Sequence, residues 1–125
     1  MLFDTDVIIW ALRGNKKAAD RIDAEAVLQL SAVSYMELLK GSRNKEDQRQ
    51  TTTFIRDMNF ESLPIDTDVS HRATVYMEEY ALSAGLDLAD ALIAATAAEH
   101  KIPICTANDK HYKMIPGIEI AIFRP

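Results

Sequence analysis

The chain has 125 residues, 48% of them hydrophobic and 26% charged, with a formal net charge of −5. That length suits a single domain spanning 1–125, and the acidity argues against a general electrostatic grip on nucleic acid. No apolar run approaches the ~20 residues that span a bilayer. A first strand starting at Leu2 leaves no room for a signal peptide, and the lone cysteine, Cys105, reads as a core hydrophobe in a cytoplasmic protein rather than part of a disulfide framework.

Taken in order, Leu2 to Asp4 predicts a short strand and Thr5 to Leu12 an apolar helix that Gly14 ends. Lys16 to Ile22 makes a small polar helix. Val27 to Val33 is apolar and bounded by polar residues, as a second strand should be. Ser34-Tyr35-Met36-Glu37 reads as a capping box, with Ser34 as N-cap of a helix that stops at Gly41. A polar stretch from Asn44 to Thr53 leads into Phe54, Ile55 and Met58, which share a helical face. Leu63-Pro64-Ile65 suits a brief edge strand, since proline donates nothing to a ladder.

From Asp68, apolar residues at Val69, Ala73, Tyr76, Met77, Tyr80 and Ala84 recur at helical spacing until Gly85. Asp90 to His100 is alanine-rich and predicts a buried central helix. Pro103 to Cys105 is a core strand, and after the Pro116-Gly117 turn Ile118 to Phe123 is the last one. Strands alternating with helices imply an α/β fold with parallel strands.

Acids stand at the edges of these apolar runs: Asp4, Glu37, Asp90 and the pair Asn108-Asp109. Each has a plain structural explanation as a cap, a dipole partner or a turn. As a set they point elsewhere. Carboxylates at strand ends of an open α/β sheet converge on one crevice, and converging carboxylates repel unless a cation neutralises them. All-oxygen donors without a histidine or cysteine cluster favour magnesium or manganese over zinc. Such a site suits phosphodiester hydrolysis. Basic clusters flank three of these islands: Arg13, Lys16 and Lys17; Lys40, Arg43 and Lys45; Lys110, His111 and Lys113. Arg13, Lys40, Arg43 and Lys110 are candidates for phosphate contacts, which position a nucleic acid without reading it. His71, His100 and His111 fit no triad, and His111 alone lies beside an acidic island.

These residues resemble the PIN domain, and in particular toxins of the VapC type. The matching runs are Phe3-Asp4-Thr5-Asp6-Val7-Ile8-Ile9, Ser34 with Glu37-Leu38-Leu39-Lys40-Gly41, Asp90-Ala91-Leu92-Ile93-Ala94-Ala95-Thr96-Ala97, and Thr106-Ala107-Asn108 with Lys110-His111-Tyr112. The Asp90 run is the most specific. The resemblance implies a three-layer α/β/α domain with a central parallel sheet of four to five strands. It implies a magnesium-dependent endoribonuclease, manganese substituting, that leaves 5′-phosphate and 3′-hydroxyl ends. Asp4, Glu37 and Asp90 carry over as metal ligands, Thr106 as an orienting neighbour, and Asn108 as the fourth site position, uncharged here, with Asp109 one residue on. Expected partners are an RNA substrate, a VapB-type antitoxin covering the cleft, and a second copy in a homodimer, with no membrane. The apolar helices around Trp10, Tyr35 and Leu39 are compatible with such an antitoxin clamp, although Trp10 and Tyr35 suit the core better.

Two rivals remain at this level. Asp4-Thr5-Asp6-Val7 after a strand resembles the Asp-x-Asp nucleophile motif of haloacid-dehalogenase-type phosphatases, without their lysine or later acidic motif. Asn108 alone favours a non-catalytic PIN-like module that binds RNA or protein.

Overall fold

The computed structural model describes residues 1–125. Five strands, β1 (Leu2–Phe3), β2 (Gln29–Ser31), β3 (Glu61–Leu63), β4 (Ile104–Thr106) and β5 (Ile120–Ile122), form one sheet in the order β3-β2-β1-β4-β5. All pairings are parallel. Six α-helices connect them: α1 (Thr5–Leu12), α2 (Lys16–Asp23), α3 (Ala32–Lys40), α4 (Lys45–Asp57), α5 (Thr67–Ala84) and α6 (Leu88–His100). A single 3-10 turn, Asp109–His111, follows β4.

Alternation along the strands separates two cores, as a period of two requires. Leu2 and Ile104 join Ala91, Ala94, Ala95 and Tyr76 beneath α5 and α6. Phe3 and Cys105 join Val7, Ile22, Leu38 and Ile55 on the opposite side. These are the outer layers of a three-layer α/β/α domain, and Cys105 is a buried free thiol within it. From β1 the chain moves outward through β2 and β3, then returns to lay β4 on the other flank of β1. The order therefore reverses between β1 and β4, and ligands of open α/β sheets bind at the carboxyl ends of strands flanking such a point.

Several boundaries differ from those the sequence predicts. The second strand is confined to Gln29–Ser31, and Val27 is exposed. Ser31, not Ser34, caps α3, its Oγ accepting from the Val33 N–H at 3.2 Å. The strand's last residue thus doubles as the helix cap, a junction that the largely apolar run from Val27 to Val33 hides. Ser34 lies inside the helix, buried, with its Oγ unpartnered, and Glu37 falls in the second turn, so no capping box forms. The polar stretch after Gly41 is helical from Lys45, because Asn44 caps it by accepting from the Asp47 N–H at 2.9 Å. The third strand ends at Leu63, just before Pro64, and sits at the sheet's edge. No helix is long and apolar enough to cross a membrane.

Candidate active site

Asp4 follows β1 directly. Its backbone N–H donates to the Cys105 carbonyl at 2.9 Å, so β4 holds it beside Thr106 at the point where the strand order reverses. Its side chain is buried and fully engaged. Oδ1 accepts from the Thr5 N–H at 2.8 Å, while Oδ2 accepts from the Thr106 hydroxyl at 2.8 Å and from the Tyr112 hydroxyl at 2.9 Å. The same Tyr112 oxygen lies 3.3 Å from Asp90 Oδ1. One phenol, carrying one proton, thus stands between two carboxylates. Burial and the charges of Asp4 and Asp90 push the Tyr112 hydroxyl far above its ordinary range, so it remains a donor.

Asp90 reaches the site from the first turn of α6, where the helix N-terminus favours negative charge. Burial raises its carboxyl to about 6, with Asp4 and Asp87 adding to the rise and His111 opposing it. Its outer oxygen, Oδ2, lies 3.0 Å from His111 Nδ1. Glu37, on α3, stands further out, and its Oε1 accepts from the Thr5 hydroxyl at 2.8 Å. A groove of about 510 Å³ runs from Glu37 between α1, α3 and α4, with Ile9, Leu12, Arg13 and Arg43 in its walls.

Asp6 completes the cluster. Its Oδ2 accepts from the Ala107 N–H at 3.1 Å and lies 3.5 Å from Thr106 Oγ, while Oδ1 is buried without a partner. Burial, then the charge of Asp4, raises this carboxyl to about 6. The following loop is pinned from several sides. Asn108 donates its N–H to Thr106 Oγ at 3.0 Å, and Arg124 Nη1 donates to the Ala107 carbonyl at 3.0 Å.

The sequence-predicted residues therefore separate into groups. Asp4, Asp90 and Thr106 share one hydrogen-bonded floor, and Glu37 is tied to it through Thr5. The Asn108 side chain turns to His111, with Nδ2 and Nε2 2.9 Å apart. Asp109 instead pairs with Lys113 at 3.3 Å and Arg124 at 3.5 Å. Burial pushes that carboxyl up, but the two cations outweigh it and hold it below the usual range. Arg13 and Arg43 face the groove, Arg43 drawn to Asp47 at 2.9 Å, while Lys40 and Lys110 are exposed.

Sequence reasoning gave Asp6 a role only in the phosphatase reading, and it placed Tyr112 in a matching run without assigning it a site role. Tyr112 was detectable in principle, since an aromatic among Lys110, His111 and Lys113 needs both a core position and a partner for its hydroxyl.

The donor set is all oxygen and short of positive charge, which suits a hard divalent cation. No three acidic, histidine or cysteine side chains are grouped to hold an ion directly. Two carboxylates, Asp4 and Asp90, are instead close-set, with Glu37 outside them. Magnesium, which keeps several waters and takes one or two carboxylates plus phosphate oxygens, fits that arrangement.

A five-stranded parallel α/β/α sandwich with an acidic cluster at its switch point defines the class. The chain belongs to the PIN domain family, whose model matches residues 1–117. It is 33% identical over 123 residues to ribonuclease VapC10 of Mycobacterium tuberculosis, covering 95% of this chain and 90% of that protein. It is 30% identical over 128 residues to ribonuclease VapC of Rickettsia bellii, covering 96% and 93%. Among solved structures, a toxin–antitoxin complex from Klebsiella pneumoniae matches with TM-score 0.76 and 31% identity over 94% of this chain and 93% of that one. VapBC2 of Rickettsia felis, bound to a promoter DNA fragment, shares the fold with TM-score 0.85 at 17% identity over 98% of both chains. Membership in this family displaces the phosphatase reading of Asp4-Thr5-Asp6-Val7.

Proposed function

We propose that this protein is a VapC-type toxin, an endoribonuclease that hydrolyses RNA phosphodiester bonds with magnesium or manganese and is held inactive by an antitoxin. The observation that carries the reading is the pairing of Asp4 and Asp90 beneath one buried hydroxyl at the switch point. Curated relatives named ribonuclease and a similar structure described as a toxin–antitoxin complex support it.

In this reading Asp4 and Asp90 hold the cation, and Glu37 anchors its hydration shell or orients the attacking water. A bound divalent ion would supply Lewis acidity, activating water and neutralising the leaving oxygen. Thr106 and Tyr112 fix the Asp4 carboxylate by donating to it, which keeps the pair from swinging apart. Arg13 and Arg43 in the groove, together with the exposed Lys40 and Lys110, contact RNA phosphates. The same groove, apolar along Ile9 and Leu12 and acidic at Glu37, suits an antitoxin segment that brings a basic side chain to the carboxylates. The working unit is a homodimer.

The test compares wild-type protein, freed of partner, with Asp90→Asn on a pool of structured RNAs in manganese, magnesium or chelator. Cleavage should require metal and fall at least a hundredfold in the variant. Equal cleavage by both proteins defeats the assignment. Metal binding without cleavage of any RNA favours the non-catalytic binding module.

A further inference from the structure

Asn108 occupies the fourth site position that the family resemblance implies, yet its amide is committed elsewhere. Nδ2 lies 2.9 Å from His111 Nε2, and on the other side of the same ring Nδ1 lies 3.0 Å from Asp90 Oδ2. These three side chains form one line. With the amide nitrogen donating to Nε2, the neutral ring carries its proton on Nδ1, the nitrogen that faces Asp90. The orientation of the imidazole and its tautomer are therefore both set by Asn108.

The consequence falls on Asp90. Its Oδ1 faces Tyr112 and Asp4, while its Oδ2 faces His111. With one oxygen held outward by the ring, the other is presented to the Asp4 side. Nothing else in the structure engages Oδ2. The Asn108 side chain makes no capping bond to the 3-10 turn that it precedes, so local backbone structure does not explain its orientation. Its backbone is held separately, by the bond of its N–H to Thr106 Oγ.

We propose that Asn108 and His111 are positioning residues acting in series on Asp90, and that Asn108 is not itself a ligand of the cation. The proposal rests on Asp4 and Asp90 being the cation pair. Hydrogen-bond partners that orient a ligating carboxylate contribute about 10- to 100-fold to metal affinity. The His111 side chain is 47% exposed, so its removal leaves the fold intact.

The experiment is a double-mutant cycle on Mn²⁺ affinity, measured by calorimetric titration of metal-free wild type, Asn108→Ala, His111→Ala and the double variant. Asp90→Asn serves as the reference. Each single variant should bind Mn²⁺ about tenfold more weakly, and the double variant no more weakly than His111→Ala alone. Melting in chelator should be unchanged in the single variants. Effects that multiply in the double variant show Asn108 acting independently of the ring and overturn the series. Unaltered Mn²⁺ affinity in either single variant overturns it too. If Asp90→Asn retains wild-type affinity, the cation-pair reading fails and the proposal with it. If only Asp90→Asn loses binding, the pair stands and the series alone is wrong.

Discussion

Asp6 carries the least favourable electrostatics in the cluster. Burial and the neighbouring Asp4 raise its carboxyl from 3.8 to about 6, and its Oδ1 has no partner. A folded-state value above the unfolded one means that the group favours folding only while it is protonated. That contribution is complete below about pH 4 and disappears as pH rises through about 6. Asp6→Asn removes the charge and keeps an acceptor for the Ala107 N–H. In chelator it should melt above wild type at pH 7.5, with the gain shrinking towards pH 4. Solvent reaches part of this side chain, so a shift of this size is discounted to roughly 1 kcal/mol. An equal or lower melting temperature at pH 7.5 would refute the account. The sequence made Asp4, Glu37, Asp90 and Thr106 legible because each borders an apolar run or a matching motif. It could not show that Asp6 receives the Ala107 N–H, or that Tyr112 donates to Asp4 across 108 positions of chain. Those bonds exist only once β1 and β4 pair.

Helix ends mattered most to reading the elements. Gly85 closes α5 with φ 66°, a left-handed conformation open to glycine, and its stop was visible in the sequence. Lys101 closes α6 in the same region, with φ 55° and ψ 46°, and no glycine marks it. A side chain with a Cβ pays roughly 1 kcal/mol there, partly offset for glycine by its freer unfolded chain. Lys101→Gly should therefore stabilise the protein by roughly 0.5 kcal/mol. Cleavage should be unaffected, because Asp90 stands at the other end of α6. A lowered melting temperature would show that the lysine side chain does more than tolerate the turn. Strand limits were harder to see than helices. With all-parallel pairing, strands of two or three residues lie inside longer apolar segments, and Val27 to Val33 holds a loop, a strand, a cap and a helix start in one run. An apolar segment of this kind reports a buried neighbourhood, not where the ladder ends.

For the whole molecule, the parallel sheet gathers Asp4, Asp6 and Asp90 at one end of a chain whose net charge is already −5. Burial first, with the charge of Asp4 adding to it, raises two of the three carboxyls to about 6. A cation that binds the folded chain alone would relieve their repulsion. Linkage then predicts stabilisation of about 2.7 kcal/mol at a hundredfold excess over the dissociation constant. The effect must depend on pH. Asp90 contributes stability below about pH 4 in its protonated form and loses it as pH rises through about 6. Protons therefore compete with the cation, so Mn²⁺ should raise the melting temperature strongly at pH 7.5, less at pH 6 and scarcely at pH 5. Asp90→Asn should flatten that dependence and remove most of the rise. Melting curves with and without Mn²⁺ at the three pH values, on both proteins, decide the matter. A rise of equal size at every pH, or one retained in Asp90→Asn, would place the cation somewhere other than the switch point.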